Sequence, residues 1–162
     1  MNLMNLNNEN IIIEPNRKHT RKDLFFMILI GIAFFVSAEF LAPVLRHNLR
    51  NKIPFADGFF FGISIIYIVY VLSRKIYQKI EIDYENNRLR IEYITLLKKD
   101  CENIIPFEEL EYEYKKIASR SGGKWTLRIW KNNKKKLNLE ERDYGFEKEN
   151  IDLLVEKLKE LE

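Results

Sequence analysis

The side chains able to do chemistry are few and poorly spaced for it. Two histidines, His19 and His47, and one cysteine, Cys101, are the candidates for a nucleophile and its base. His19 falls in a polar N-terminal tail and His47 in a short basic loop between two apolar runs, so neither is placed to activate the thiol. No phosphate-cradling glycine loop, G-x-S-x-G elbow or paired-histidine metal motif occurs. A lone cysteine excludes an intramolecular disulfide and a cysteine-based metal cluster, and fits a reducing compartment. Glu111 and Glu113 alternate with Tyr112 and Tyr114, which is the pattern of a solvated strand face rather than of a carboxylate pair. The reading is therefore no enzyme, no cofactor, no metal and no evident small-molecule substrate.

Glu39 and Asp57 are the chemically distinctive acids, because each interrupts a long apolar run. An acid inside a membrane span is by default a candidate for an ion or proton path. Both lie within about two helical turns of the basic loop, where Arg46, His47 or Arg50 and interfacial water satisfy them, so the interfacial reading is preferred.

The elements that would position these groups follow from apolar patterning. Residues 24–45 and 55–73 are two stretches with one charge each, long enough to cross a hydrocarbon core of roughly 30 Å as helices. The loop at 46–54 closes them into a transmembrane hairpin. Arg17, Lys18, Arg21, Lys22, Arg74, Lys75 and Lys79 flank it on one side, against Arg46, Arg50 and Lys52 in the loop. The positive-inside rule then puts both termini in the cytoplasm and the chain in the cytoplasmic (inner) membrane. Ser37, Ala38 and Ala42 on the first run and the Gly58/Gly62 spacing on the second mark a close helix–helix approach, within one hairpin or between two copies. Residues 1–16, polar and rich in Asn, are expected to be poorly ordered.

Composition shifts after Ser73. The whole chain has 162 residues, 27 basic and 24 acidic; 20 and 19 of these fall beyond residue 73, so that part is nearly neutral and nucleic acid is not an expected partner. Ile80, Ile82 and Tyr84, then Leu89, Ile91 and Tyr93, alternate with charges around Asn86-Asn87. This predicts a hairpin with a two-residue turn, Glu85 facing Arg88 and Asp83 facing Arg90. Further strands are expected at 101–105, 110–118, 124–131 and 135–141. Placing Ile129 against Leu137 and Leu127 against Leu139 calls for a three-residue loop at Asn132–Lys134, with Trp130 across from Lys136. Residues 147–161 carry Ile151, Leu154, Val155, Leu158 and Leu161 as one helical stripe. The fold class is thus α+β: a two-helix transmembrane hairpin, then an antiparallel half-barrel over residues 74–162 capped by a C-terminal helix.

This order of elements, with the segment Asn103-Ile104-Ile105-Pro106-Phe107-Glu108-Glu109-Leu110 and a closing helix over 150–161, resembles bacterial pleckstrin-homology-like domain membrane proteins of the YcxB-like or DUF304 kind. The resemblance covers about residues 24–162, although six strands are legible where a full pleckstrin-homology fold has seven. It implies a membrane-tethered, non-enzymatic scaffold or interaction module at the inner leaflet, with membrane lipids and either further copies of itself or another protein as partners. Candidate headgroup or interface residues are Arg74, Lys75, Lys79, Lys98, Lys99, Lys134, Lys135 and Lys136. An immunity or accessory subunit of a membrane complex, and a small ion or solute conductor, are the alternatives.

Overall fold

A computed structural model describes residues 10–49, 56–118 and 122–161, with the side chains of 38–49 and 56–61 left aside. It contains β1 (Ile11–Ile13), α1 (Arg21–Leu49), α2 (Ala56–Ser73), β2 (Ile76–Asp83), β3 (Arg88–Ile94), β4 (Cys101–Pro106), β5 (Leu110–Ile117), β6 (Lys124–Lys131), β7 (Lys134–Glu140) and α3 (Lys148–Lys159). The chain divides into two compact units. The strands and α3 belong to one; residues 20–75 and 94–99 form the other.

The strand-rich unit is two antiparallel sheets, ordered β1-β2-β3-β4 and β5-β6-β7. Period-two alternation turns Ile80, Ile82, Leu89, Ile91 and Ile105 of the first sheet and Leu127, Ile129, Leu137 and Leu139 of the second into one core. Phe146 and the stripe Ile151, Leu154, Val155 and Leu158 of α3 complete it. Each of those α3 side chains, fully withdrawn from water, contributes about 1.5–3 kcal/mol.

Both turns named from the sequence differ from their expected form. Between β2 and β3 the loop is Tyr84–Asn87, closed by the Asn87 N–H donating to the Tyr84 carbonyl at 3.4 Å, with Asn87 at φ 50°. The Asp83 carboxylate is the cause. It accepts from the Asn86 backbone N–H at 3.1 Å, the Asn86 amide at 2.8 Å and Arg88 Nε at 2.8 Å, a side-chain turn that lengthens the loop. Asp83 therefore pairs with Arg88, and Arg90 donates to Glu102 on β4 at 2.8 Å.

Between β6 and β7 the expected apolar register holds, Ile129 against Leu137 and Leu127 against Leu139. The loop, however, has two residues, Asn132 and Asn133, both left-handed at φ 51° and 60° as a type I′ turn requires. A register shift between Ile129 and Trp130 absorbs the odd residue, so Trp130 faces Lys135 rather than Lys136.

Of residues 1–16, expected to be poorly ordered, 1–9 lie outside the described residues, and Ile11–Ile13 supply a seventh strand. Ile11, Ile12 and Ile13 pair with Ile82, Glu81 and Ile80, and Ile13 joins the core at 4% exposure. Burying that one isoleucine, about 1.5–3 kcal/mol, is set against an ordering cost of about 1–2 kcal/mol for each residue fixed. The strand is marginal on local terms.

In the helical unit, Thr20 and Asp23 form a reciprocal cap: the Thr20 N–H donates to Asp23 Oδ2 at 2.8 Å and the Asp23 N–H to the Thr20 carbonyl at 3.0 Å. Leu24, Met27, Ile28, Gly31 and Phe35 recur at helical spacing as the less exposed stripe of α1, and Ser64, Tyr67 and Val71 do the same on α2.

The membrane-spanning expectation is corrected here. Among the described residues no helix is long and apolar enough to cross a membrane. α2 has 18 residues, a rise of about 27 Å at 1.5 Å per residue, short of the roughly 30 Å hydrocarbon core. The part of α1 whose side chains are described, 21–37, opens with the charged turn Arg21-Lys22-Asp23. The transmembrane hairpin thus falls as part of the fold class, and with it the membrane character, the inner-membrane placement and the cytoplasmic topology derived from it.

The Asn132-Asn133 turn yields a direct test. Asn133→Gly removes the Cβ at a left-handed position and is expected to raise stability by up to about 1 kcal/mol, with Asn133→Val lowering it, as read from urea unfolding.

Candidate functional site

Of the groups named for chemistry, the His47 side chain lies outside those described, and His19 and Cys101 each have separate surroundings. His19 packs edge-on against Tyr144 at 6.2 Å between ring centroids, while Cys101 is half-buried on β4 opposite Tyr93. Among the described residues no group of three or more His, Cys, Asp or Glu side chains could hold a metal ion.

One dense polar constellation exists in the strand-rich unit. The Tyr114 hydroxyl donates to Asp152 Oδ1 and the Lys148 ammonium to Asp152 Oδ2. Lys148 also lies 5.7 Å from the Trp125 ring centre, and Trp125 stacks on Tyr114 at 4.8 Å. The Lys148 and Tyr114 hydrogen bonds hold the Asp152 carboxyl below the usual aspartate range, and Asp152 in turn holds Lys148 above the usual lysine range. Burial first, then the Asp152 bond, pushes the Tyr114 phenol upward, so it stays protonated. These donors and acceptors satisfy one another and tie the start of α3 to β5 and β6. This is a clamp, with no activated nucleophile in it. Tyr77 is likewise pushed up to about 12 by burial, its hydroxyl donating to the Lys136 carbonyl at 3.4 Å.

The basic candidates are dispersed. Arg74 lies 6.0 Å from the Tyr70 ring centre and donates to Met27 Sδ at 3.6 Å; Lys75 is half-buried beside it in sequence. Lys79 is engaged by Glu81 at 2.7 Å and Glu92 at 4.0 Å. Lys98 and Lys99 lie exposed in a turn closed by the Thr95 N–H donating to the Lys98 carbonyl at 3.0 Å. Lys134 and Lys135 are exposed at the β6–β7 tip and Lys136 is half-buried.

Of the small residues named for helix packing, Ser37 is exposed and donates back to the Ala33 carbonyl at 2.8 Å, and a Cβ on Gly62 would meet nothing within 4 Å. Ala38, Ala42, Gly58, Glu39 and Asp57 lie outside the residues whose side chains are described. The close approach is at Gly31, which sequence reading passed over. A Cβ there would sit 2.3 Å from Cε1 of Tyr67, whose ring is held by its hydroxyl donating to the Met27 carbonyl at 3.0 Å. An isolated glycine inside an otherwise apolar helix was the available signal.

The outward surface of these two helices is the unusual feature of the molecule. Phe25, Phe26, Leu29, Ile30, Ile32, Phe34 and Val36 on α1 and Ile63, Ile65, Ile66, Ile68, Val69 and Tyr70 on α2 are all exposed, Phe34 and Ile66 to 68% and 70%. Summed around the outward sides of both helices, their apolar surface is on the order of 1,000 Å², more than the roughly 300–600 Å² that the largest patch of an ordinary monomer holds. An apolar recess of about 110 Å³ lies within it, lined by Gly31, Ile32, Phe35, Ser64, Ile65 and Ile68. Such a surface can do one thing chemically, which is to exclude water against another apolar surface.

Two tests follow. Gly31→Ala is expected to destabilise by about 1–3 kcal/mol in denaturant unfolding, by forcing the Tyr67 ring off its Met27 bond. For the clamp, the lowered carboxyl of Asp152 means that its contribution is full above the ordinary aspartate value of 3.8 and lost as pH falls through its lower folded value. The stability difference between the parent and Asp152→Asn, followed by circular dichroism, should shrink on acidification below that value.

No family model, no curated protein and no solved structure matches this chain.

Proposed function

We propose that this chain is a non-enzymatic, self-assembling interaction module. The observation that carries the reading is the exposed apolar surface of α1 and α2. A helix apolar on nearly all sides is stable when something covers it. Summed around the outward sides of both helices the exposed apolar surface is on the order of 1,000 Å² per chain, against the roughly 800 Å² each partner contributes to one stable interface, which suits cover by further copies presenting the same helices. Charge does not oppose such an association, because the outward faces of residues 25–36 and 62–70 carry no ionisable group except the Tyr70 phenol. The two-sheet unit with its closing helix, read as a pleckstrin-homology-like domain, is then the part held in multiple copies and offered to partners, with its exposed sheet edges as docking lines.

Light scattering coupled to size exclusion tests the reading. The intact chain is expected at a multiple of its 19.5 kDa mass, and Ile30→Glu with Ile66→Glu to shift it toward the monomer while strand circular dichroism is retained. A strict monomer across the concentration range, or a chain taken up singly by lipid vesicles, would overturn it.

A further inference from the structure

β1 reaches its sheet from a distant part of the sequence. Ile11–Ile13 pair with residues 80–82, some seventy positions later, after α1 and α2 have intervened. The segment occupies a built seat. Ile13 and Pro15 are buried while Ile12 and Glu14 point outward, an apolar-x-apolar pattern of extended chain. Beyond the ladder, the Asn16 N–H donates to the Gly145 carbonyl at 3.1 Å, and the Asn16 amide donates to Glu147 Oε1. The turn that receives it is conformationally unusual, with Arg142, Tyr144 and Gly145 at φ 66°, 53° and 84°. Gly145 is needed there, since a Cβ would lie 3.1 Å from the Arg17 carbonyl and 3.3 Å from Pro15 Cβ. A groove of about 500 Å³ is lined by Asn16 and Arg17 together with Glu141, Arg142 and residues 145–149, so the seat is open at its side.

We propose that residues 10–19 are an exchangeable strand, and that in the assembled protein the edge of β2 with the 142–147 turn takes this segment from a second copy. Contacts in cis and in trans are identical, because the segment and the seat are the same, so the balance is set by tether geometry and local concentration. Three ladder pairs, two buried side chains, side-chain hydrogen bonds from Asn10 to Glu81 and from Asn16 to Glu147, the Asn16–Gly145 backbone bond and the His19–Tyr144 ring contact hold it, all at the margin of the unit and few enough to release without unfolding the core. The source of the incoming segment rests on the self-association proposed above; the seat does not.

The test uses the full chain with Cys101→Ser, Ile12→Cys and Glu81→Cys, the last two being register partners. Isotopically heavy and light chains are mixed, oxidised mildly and digested, and the peptides joining positions 12 and 81 are weighed. Exchange predicts mixed heavy–light linkages, their share rising several-fold with protein concentration. Light–light and heavy–heavy linkages alone, in a sample that light scattering shows to be oligomeric, overturn exchange and leave self-association standing. If the sample is monomeric, the seat is tested with a free peptide of residues 8–19 carrying cysteine at position 12, added to the Glu81→Cys, Cys101→Ser chain. A disulfide adduct supports a seat open in trans, and its absence overturns the proposal.

Discussion

The strand-rich unit depends on a single apolar core shared by three contributors that are each unstable alone. A three-stranded sheet, a four-stranded sheet and the stripe of α3 each present one apolar face, and only their mutual contact removes all three from water. α3 holds the arrangement together, because Ile151, Leu154, Val155 and Leu158 are withdrawn from solvent on the same surface as Leu127 and Ile129 of the second sheet and Leu89 and Ile91 of the first. The polar clamp at Asp152 adds direction to that contact. Hydrophobic burial is indifferent to rotation of the helix about its axis, whereas a tyrosine, a lysine and a carboxylate satisfied by one another fix where its first turns sit.

The helical unit is governed by the opposite condition. Its inner seam is close, with Gly31 admitting the Tyr67 ring and the Tyr67 hydroxyl reaching a backbone carbonyl of the facing helix. Among the described side chains that seam uses only one stripe of each helix, and the other apolar side chains between 25 and 36 and between 63 and 70 are exposed. Two helices cannot bury two all-round apolar surfaces in each other, since each offers the other about a third of its circumference. The excess apolar surface is the physical ground for reading the chain as part of an assembly.

Ion pairs in the strand-rich unit act locally. Asp83 shapes the turn it sits beside, and Arg90, Lys79 and Arg128 are drawn to carboxylates on their own or neighbouring strands. Most of these pairs are partly exposed, where such contacts add little to stability. Their effect is on register and turn length, and it takes much of the unit's positive charge out of play as a recognition patch.

Local periodicity alone determined a great deal. Alternation at Ile80–Tyr84, Leu89–Tyr93 and Leu127–Ile129 marks strands, the 3.6-residue stripe at 151–158 marks a helix, and the parity of Leu127 and Ile129 against Leu137 and Leu139 sets a register, because side-chain direction follows backbone geometry. The tertiary structure decided what has no local signature. Three isoleucines in a polar tail become a strand only because β2 has a vacant edge for them, and the β6–β7 loop is two residues long only because a register shift takes up the third. Above all, an apolar helix reads the same from its own residues whatever covers it. Where such a helix begins and ends, and which stripe meets its neighbour, is set by the folded chain and not by an apolar run, and this is why the expected transmembrane hairpin was overturned while the close approach at Gly31 had no local mark beyond an isolated glycine.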